Sequence, residues 1–333
     1  MKKLFDIDVC FMRFANIYNK IGNYYVSIKR LPKLKGNEEF KISREYYTGE
    51  GIAIVMQGPL LDDFTINTVC FYRRIFPGAE IIVSTWDDSP LKYVNALKKA
   101  GAIVIISHLP ENMGCSHINA QLGSTRPGIK KALEDGADYV LKVRTDWRIY
   151  YPGALGYLRA LSEGLTNDNS GKMVVIDNSN NRTFELPPFF VSDFLYFGRS
   201  EDMKILSEIP DSDIPYKDAQ DYAEKNGLNY YPSFEEQCKH NLPPEYYIFT
   251  NYLKKKGECG PFNDWEYYRK CAKKYFVSIS QYDIDAYWPK YKSSIVQPTS
   301  WVDEGRRQKY KSTCKGAFAD YLNFIQFIGE EQY

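Results

Sequence analysis

Gly51-Ile52-Ala53-Ile54-Val55-Met56-Gln57-Gly58-Pro59 is the stretch on which the fold turns. Ile52–Met56 is an unbroken apolar run, too short for a helix and stopped by Gln57-Gly58-Pro59. Such a run reads as a strand buried on both faces. Working outward, Asp62 and Asp63 can cap a helix over Phe64–Phe76, with Ile66, Val69 and Arg73 at helical spacing and Pro77-Gly78 at its end. Glu80–Ser84 reads as a second strand. Pro90–Ala100 reads as a helix closed by Gly101, and Ala102–Ile106 as a third strand. Ser116–Glu134 reads as a helix that Pro127 could interrupt, closed by Gly136. Tyr139–Val143 reads as a fourth strand. Strand and helix alternating at this spacing imply right-handed βαβ units and a mostly parallel sheet.

The alternation weakens past Tyr150. Met173–Ile176 and Phe189–Phe197 are strand-like, and Glu201–Leu206 reads as a helix. Asp211–Asn241 is polar, with short helices expected. Pro243-Pro244-Glu245 opens a helix with Phe249, Tyr252 and Leu253 on one face, and Gly257 closes it. Phe318–Ile328 reads as an amphipathic helix. The expected organisation is an N-terminal extension over 1–50, a nucleotide-binding α/β half over 51–150, and an acceptor half over 151–333, all in one unit.

The 333 residues hold 43 Lys and Arg against 42 Asp and Glu. That balance excludes a dedicated nucleic-acid binder, which would show a basic excess. The seven cysteines are scattered, with no C-x-x-C pair to hold zinc. No apolar run approaches a membrane span, and the first residues lack an apolar signal core, so a cytoplasmic protein is expected. There is no G-x-x-x-x-G-K-[ST] loop, no G-x-G-x-x-G after the first strand, and no G-x-S-x-G elbow. Nucleotide kinase, dinucleotide oxidoreductase and serine hydrolase readings therefore lack their motifs.

Ligands of open parallel sheets bind beyond the carboxyl ends of the strands. Those ends carry Gln57-Gly58, Trp86-Asp87, Ser107-His108 and Arg144-Thr145-Asp146. In the fourth strand, period two puts Lys142, Arg144 and Asp146 on one side. Two cations on a buried strand are costly unless they meet anions, and the anions could come from the protein or from a ligand. Asp193 poses a similar problem within Phe190–Leu195. Glu245, in the first turn of its helix, is a candidate general base, with Asp193 as runner-up and Glu235 and Glu236 behind.

Taken together, Ile52–Pro59, Ile82–Asp87 and Lys142–Asp146 resemble the WavE family, which is associated with lipopolysaccharide and capsule synthesis and is glycosyltransferase-like. The resemblance covers Gly51–Tyr150 best and thins at Ser192-Asp193 and Pro244-Glu245-Tyr246. It implies a GT-A type fold and transfer of a sugar from a nucleotide diphosphate donor to a surface glycan, free or lipid-linked, beside the inner face of the membrane. Asp146 falls where such enzymes carry the last Asp of D-x-D, which implies a divalent metal, Mn²⁺ or Mg²⁺. Arg144 stands at the first Asp position and could contact phosphate directly. Gln57, Gly58, Trp86 and Asp87 would face the nucleoside, Asn119 and Gln121 the donor, and Lys142 and Arg144 the phosphates. Arg306 and Arg307 could close over the diphosphate. The late His of such enzymes is missing here. The alternatives are a catalytically silent GT-A-like module that binds a glycan or a partner, and a nucleotidyltransferase.

Overall fold

The computed structural model describes residues 47–164, 171–177, 187–279, 281 and 283–287. The strands are β1 (Ile52–Gln57), β2 (Glu80–Trp86), β3 (Ile103–Ser107), β4 (Tyr139–Arg144), β5 (Arg148–Ile149), β6 (Met173–Asp177), β7 (Val191–Arg199), β8 (Phe276–Ile279) and β9 (Ala286–Tyr287). The helices are α1 (Phe64–Ile75), α2 (Leu91–Lys99), α3 (Ile118–Glu134), α4 (Ala154–Gly164), α5 (Ser200–Ser207), α6 (Ala219–Lys225), α7 (Phe234–Lys239), α8 (Pro244–Lys255) and α9 (Trp265–Tyr275). The N-terminal extension up to residue 46, the helix expected at Phe318–Ile328, and Arg306 and Arg307 lie outside the described residues.

Seven strands form one sheet in the order β3-β2-β1-β4-β7-β6-β8. All run parallel except β7, which is antiparallel to both β4 and β6. The fold is mixed α/β and Rossmann-like. Strands from beyond residue 150 join the same sheet as those before it. Every residue of β1 is buried, as its apolar run requires. β5 and β9 make a separate two-stranded ribbon.

The chain steps from β1 to β2 to β3 in one direction, then returns to place β4 on the other side of β1. With right-handed crossovers, α1 and α2 cover one face and α3 the other. This reversal opens a crevice at the carboxyl ends of β1 and β4, the place where sheets of this kind take ligands.

Pro127 does not break α3, which runs through it. The missing N–H forfeits only the bond to the Gly123 carbonyl one turn earlier. Gly128, next in the chain, lets the helix sit directly on the sheet. A Cβ built there would lie 2.4 Å from Val55 Cγ1 and 3.3 Å from Ser84 Cβ. Among the described residues, no helix is long and apolar enough to cross a membrane.

This close approach makes a prediction. Gly128→Ala gains up to about 1 kcal/mol of helix propensity but overpacks the α3–sheet contact by about 1–3 kcal/mol. Chemical denaturation should show net destabilisation. Gly164→Ala is the control, since nothing lies within 4 Å of the added carbon; it should be neutral or stabilising.

Candidate active site

Register fixes which side chains share the crevice. Gln57 pairs with Ser84 on one side and Arg144 on the other, and Val55 pairs with Lys142. Since Val55 and Ser84 meet Gly128, Lys142, Arg144 and Gln57 stand on the α3 face of the sheet. Lys142 in turn pairs with Tyr196 of β7.

The loops at this edge are tied together tightly. The Thr145 N–H donates to the Gln57 carbonyl at 3.0 Å. Its hydroxyl donates to the Pro59 carbonyl at 2.9 Å, and its carbonyl accepts from Thr65 Oγ1 at 3.0 Å. Gly58 has φ +128, and a Cβ there would lie 2.9 Å from Thr145 Oγ1, so only glycine allows this approach. The Gln57 side chain is oriented by Ser124, whose hydroxyl donates to Gln57 Oε1 at 2.6 Å.

Arg144 is the hub. Its Nε and Nη2 donate to Oδ1 and Oδ2 of Asp146 at 2.9 and 3.0 Å, a bidentate fork. Its Nη1 reaches Asp193 Oδ2 at 3.5 Å. The guanidinium stands 5.5 Å from the Phe194 ring centre. Lys142 is buried, its Nζ donates to the Asp193 main-chain carbonyl, and it lies 5.4 Å from the Tyr196 ring centre. The two cations on β4 thus meet carboxylate and carbonyl oxygens of the same chain.

The electrostatics follow from burial. Desolvation pushes the Lys142 ammonium down to about 8, with Arg144 adding to the effect and Asp193 resisting it. Burial also opposes the charge on Arg144, but hydrogen bonding and attraction from Asp146 and Asp193 outweigh it and keep the guanidinium cationic. Glu245, at the start of α8, is pushed up to about 7 by burial and by Asp193, while Arg144 and Lys142 pull the other way. A carboxyl that titrates near neutrality beside two cations suits general acid–base work.

The remaining expected residues are spread around this hub. Trp86 is 5% exposed and its ring lies against Gly123, where a Cβ would be 3.3 Å away. It is packed between sheet and helix. Asp87 is more open and pairs with His108. Asn119 is buried and spent on structure: its amide donates to the Ser212 and Asn112 carbonyls at 2.9 and 3.1 Å and accepts from the Ser212 N–H at 2.7 Å. Gln121 Oε1 is buried with no hydrogen-bond partner. Glu235 and Glu236 lie in the first turn of α7. Tyr196 and Phe194 join the site without a signal in their own sequence. They become visible only through the pairing of β7 with β4.

Whether these residues suit a divalent cation is decided by the donor set. Both oxygens of Asp146 take guanidinium hydrogens, and the residue two positions earlier is a cation. Among the described residues, no three His, Cys, Asp or Glu side chains come together to hold a metal ion. Protein sites for such ions are built from several oxygen ligands. The arrangement does not fit one.

The shifted groups make stability depend on pH. Glu245 is raised in the folded state, so its favourable contribution is present below about 4.5 and is lost as pH rises through about 7. Lys142 is depressed, so stability recovers only between about 8 and its ordinary value of 10.5. Glu245→Gln should therefore be more stable than wild type at pH 8, an advantage that shrinks toward pH 4.5. Thermal melts across that range check it.

A family model for WavE lipopolysaccharide synthesis matches residues 52–258. No curated protein matches the chain. The matched span runs from the first residue of β1 past the end of α8 and takes in Gln57, Arg144, Asp146, Asp193 and Glu245. It covers more than half of the 333 residues, and the chain belongs to the WavE family of lipopolysaccharide synthesis proteins.

Proposed function

We propose that the protein is a glycosyltransferase of GT-A type that moves a sugar from a nucleoside diphosphate donor to a glycan acceptor in lipopolysaccharide synthesis. One observation carries the reading: Lys142, Arg144 and a near-neutral Glu245 converge where the sheet reverses direction, in a family tied to building a surface glycan. The nucleoside would lie toward Gln57, Gly58 and Asp87. The diphosphate would meet Arg144, and the acceptor would approach from α8.

The step is an inverting displacement. An acceptor hydroxyl oxygen attacks the anomeric carbon as the bond from that carbon to the diphosphate oxygen breaks. The bonding electrons leave on the diphosphate, and the hydroxyl proton passes to Glu245. Donors aimed at the departing oxygen stabilise the charge that develops there. The acceptor of such a family favours a cytoplasmic site of action beside the membrane.

A second reading is a binding module without turnover. It is favoured by the fact that Arg144 already has protein partners in Asp146 and Asp193. Nucleoside diphosphate release from a panel of nucleotide sugars, offered with glycan acceptors, separates the two.

Within the transferase reading, Glu245→Gln should keep donor affinity and lose transfer by about 10²–10⁴-fold, since it removes the proton acceptor and preserves shape. Wild-type activity should fall with the acidic limb of its pH profile near 7. If Asp193→Asn abolishes transfer while Glu245→Gln remains active, the base is Asp193.

A further inference from the structure

We propose that Arg144, held in plane by Asp146, binds the donor diphosphate directly, and that this binding needs no divalent cation. The proposal rests on the transferase reading above and assigns Asp146 as a positioning residue.

The fork is the first reason. Two parallel N–H···O bonds fix both the position and the plane of a guanidinium, which a single contact or a lysine cannot do. Asp146 takes the Nε–Nη2 edge. Nη1 makes a longer contact with Asp193 at 3.5 Å, which a phosphate oxygen could replace. Phe194 stands beside the guanidinium, and Lys142 holds the Asp193 main chain. The group is therefore preorganised before a ligand arrives.

Charge balance is the second reason. With Glu245 ionised, as its role as base requires, the formal charges of Lys142, Arg144, Asp146, Asp193 and Glu245 sum to −1. Attraction for a diphosphate must then come from directed donors rather than net charge. Helices α1, α2 and α3 each follow a strand, so they begin at the carboxyl edge of the sheet. Their amino termini add positive potential on the same side. A divalent ion at Asp146 would have to displace both bonds of the fork, and Arg144 would lose its orientation.

The test is calorimetric binding of UDP, GDP, ADP and CDP to the full chain, each in EDTA and in excess Mn²⁺. The expected result is at least one nucleotide whose affinity agrees within about threefold in the two media. Arg144→Lys should weaken it about tenfold or more in both, because charge is kept and the fork is lost. Asp146→Asn should weaken it less, and equally in both. Circular dichroism checks that each variant folds; should Arg144→Lys not fold, Asp146→Asn decides alone. Binding that requires Mn²⁺, with the Mn²⁺ effect abolished in Asp146→Asn, overturns the inference and leaves the transferase reading standing. No diphosphate binding in either medium overturns both.

Discussion

Lys142 and Arg144 sit on β4 in the middle of a seven-stranded sheet. Taking a charge out of water costs several kcal/mol, and the cost is recovered only where opposite charges and hydrogen bonds meet it with good geometry. β7 supplies that compensation. Running antiparallel beside β4, it brings Asp193, Phe194 and Tyr196 against the two cations, while the turn after β4 brings back Asp146. α8 packs on β7 and delivers Glu245 to the same place. One antiparallel strand therefore accounts for the charge cluster, contributes through Asp193 to the raised titration of Glu245, and sets the position of the proposed base.

The first four strands and their helices are legible because each is a local pattern. A short apolar run followed by Gly or Pro states both burial and termination, and the observed boundaries fall within a few residues of the reading. Asp63 sits at the N-cap of α1 but makes no side-chain cap bond, whereas Asp62 Oδ1 accepts the Phe64 N–H at 2.8 Å. Pro127 shows where a local rule yields: one missing hydrogen bond is outweighed by the packing of α3 on β1 and β2. The place of β7 is not local. Its apolar sequence says strand, but neither its direction nor its neighbours can be read from it. α9 passes directly into β8 with no turn residues between them, so only the N-cap at Asp264, which accepts the Tyr267 N–H at 2.6 Å, marks it.

The site follows the same division. Period two along β4 correctly joins Lys142 to Arg144, and the first-turn position of Glu245 is visible as a helix start. The partial burial of Glu245 and its closeness to Asp193 are tertiary facts. Asn119 illustrates the opposite case. A polar residue read as facing the donor is in fact a buried clamp between α3 and the segment at Ser212. It fastens the later part of the chain to the helix that also orients Gln57 through Ser124.

The strand order also bears on how the chain assembles. β4 pairs with β1 across 87 residues, Ile52 to Tyr139, but with β7 across only 52, Val143 to Leu195. Segments with short-range contacts form before those that must close long loops. Until β1 docks, β4 is the open margin of its pair with β7, and margins of that kind invite pairing with other chains. Lys142 and Arg144 project charge from that margin and disfavour such pairing. The same two cations that prepare a site for a ligand thus guard the unfinished sheet, and the docking of β1, which sets Gln57 beside Arg144, converts the guard into the site.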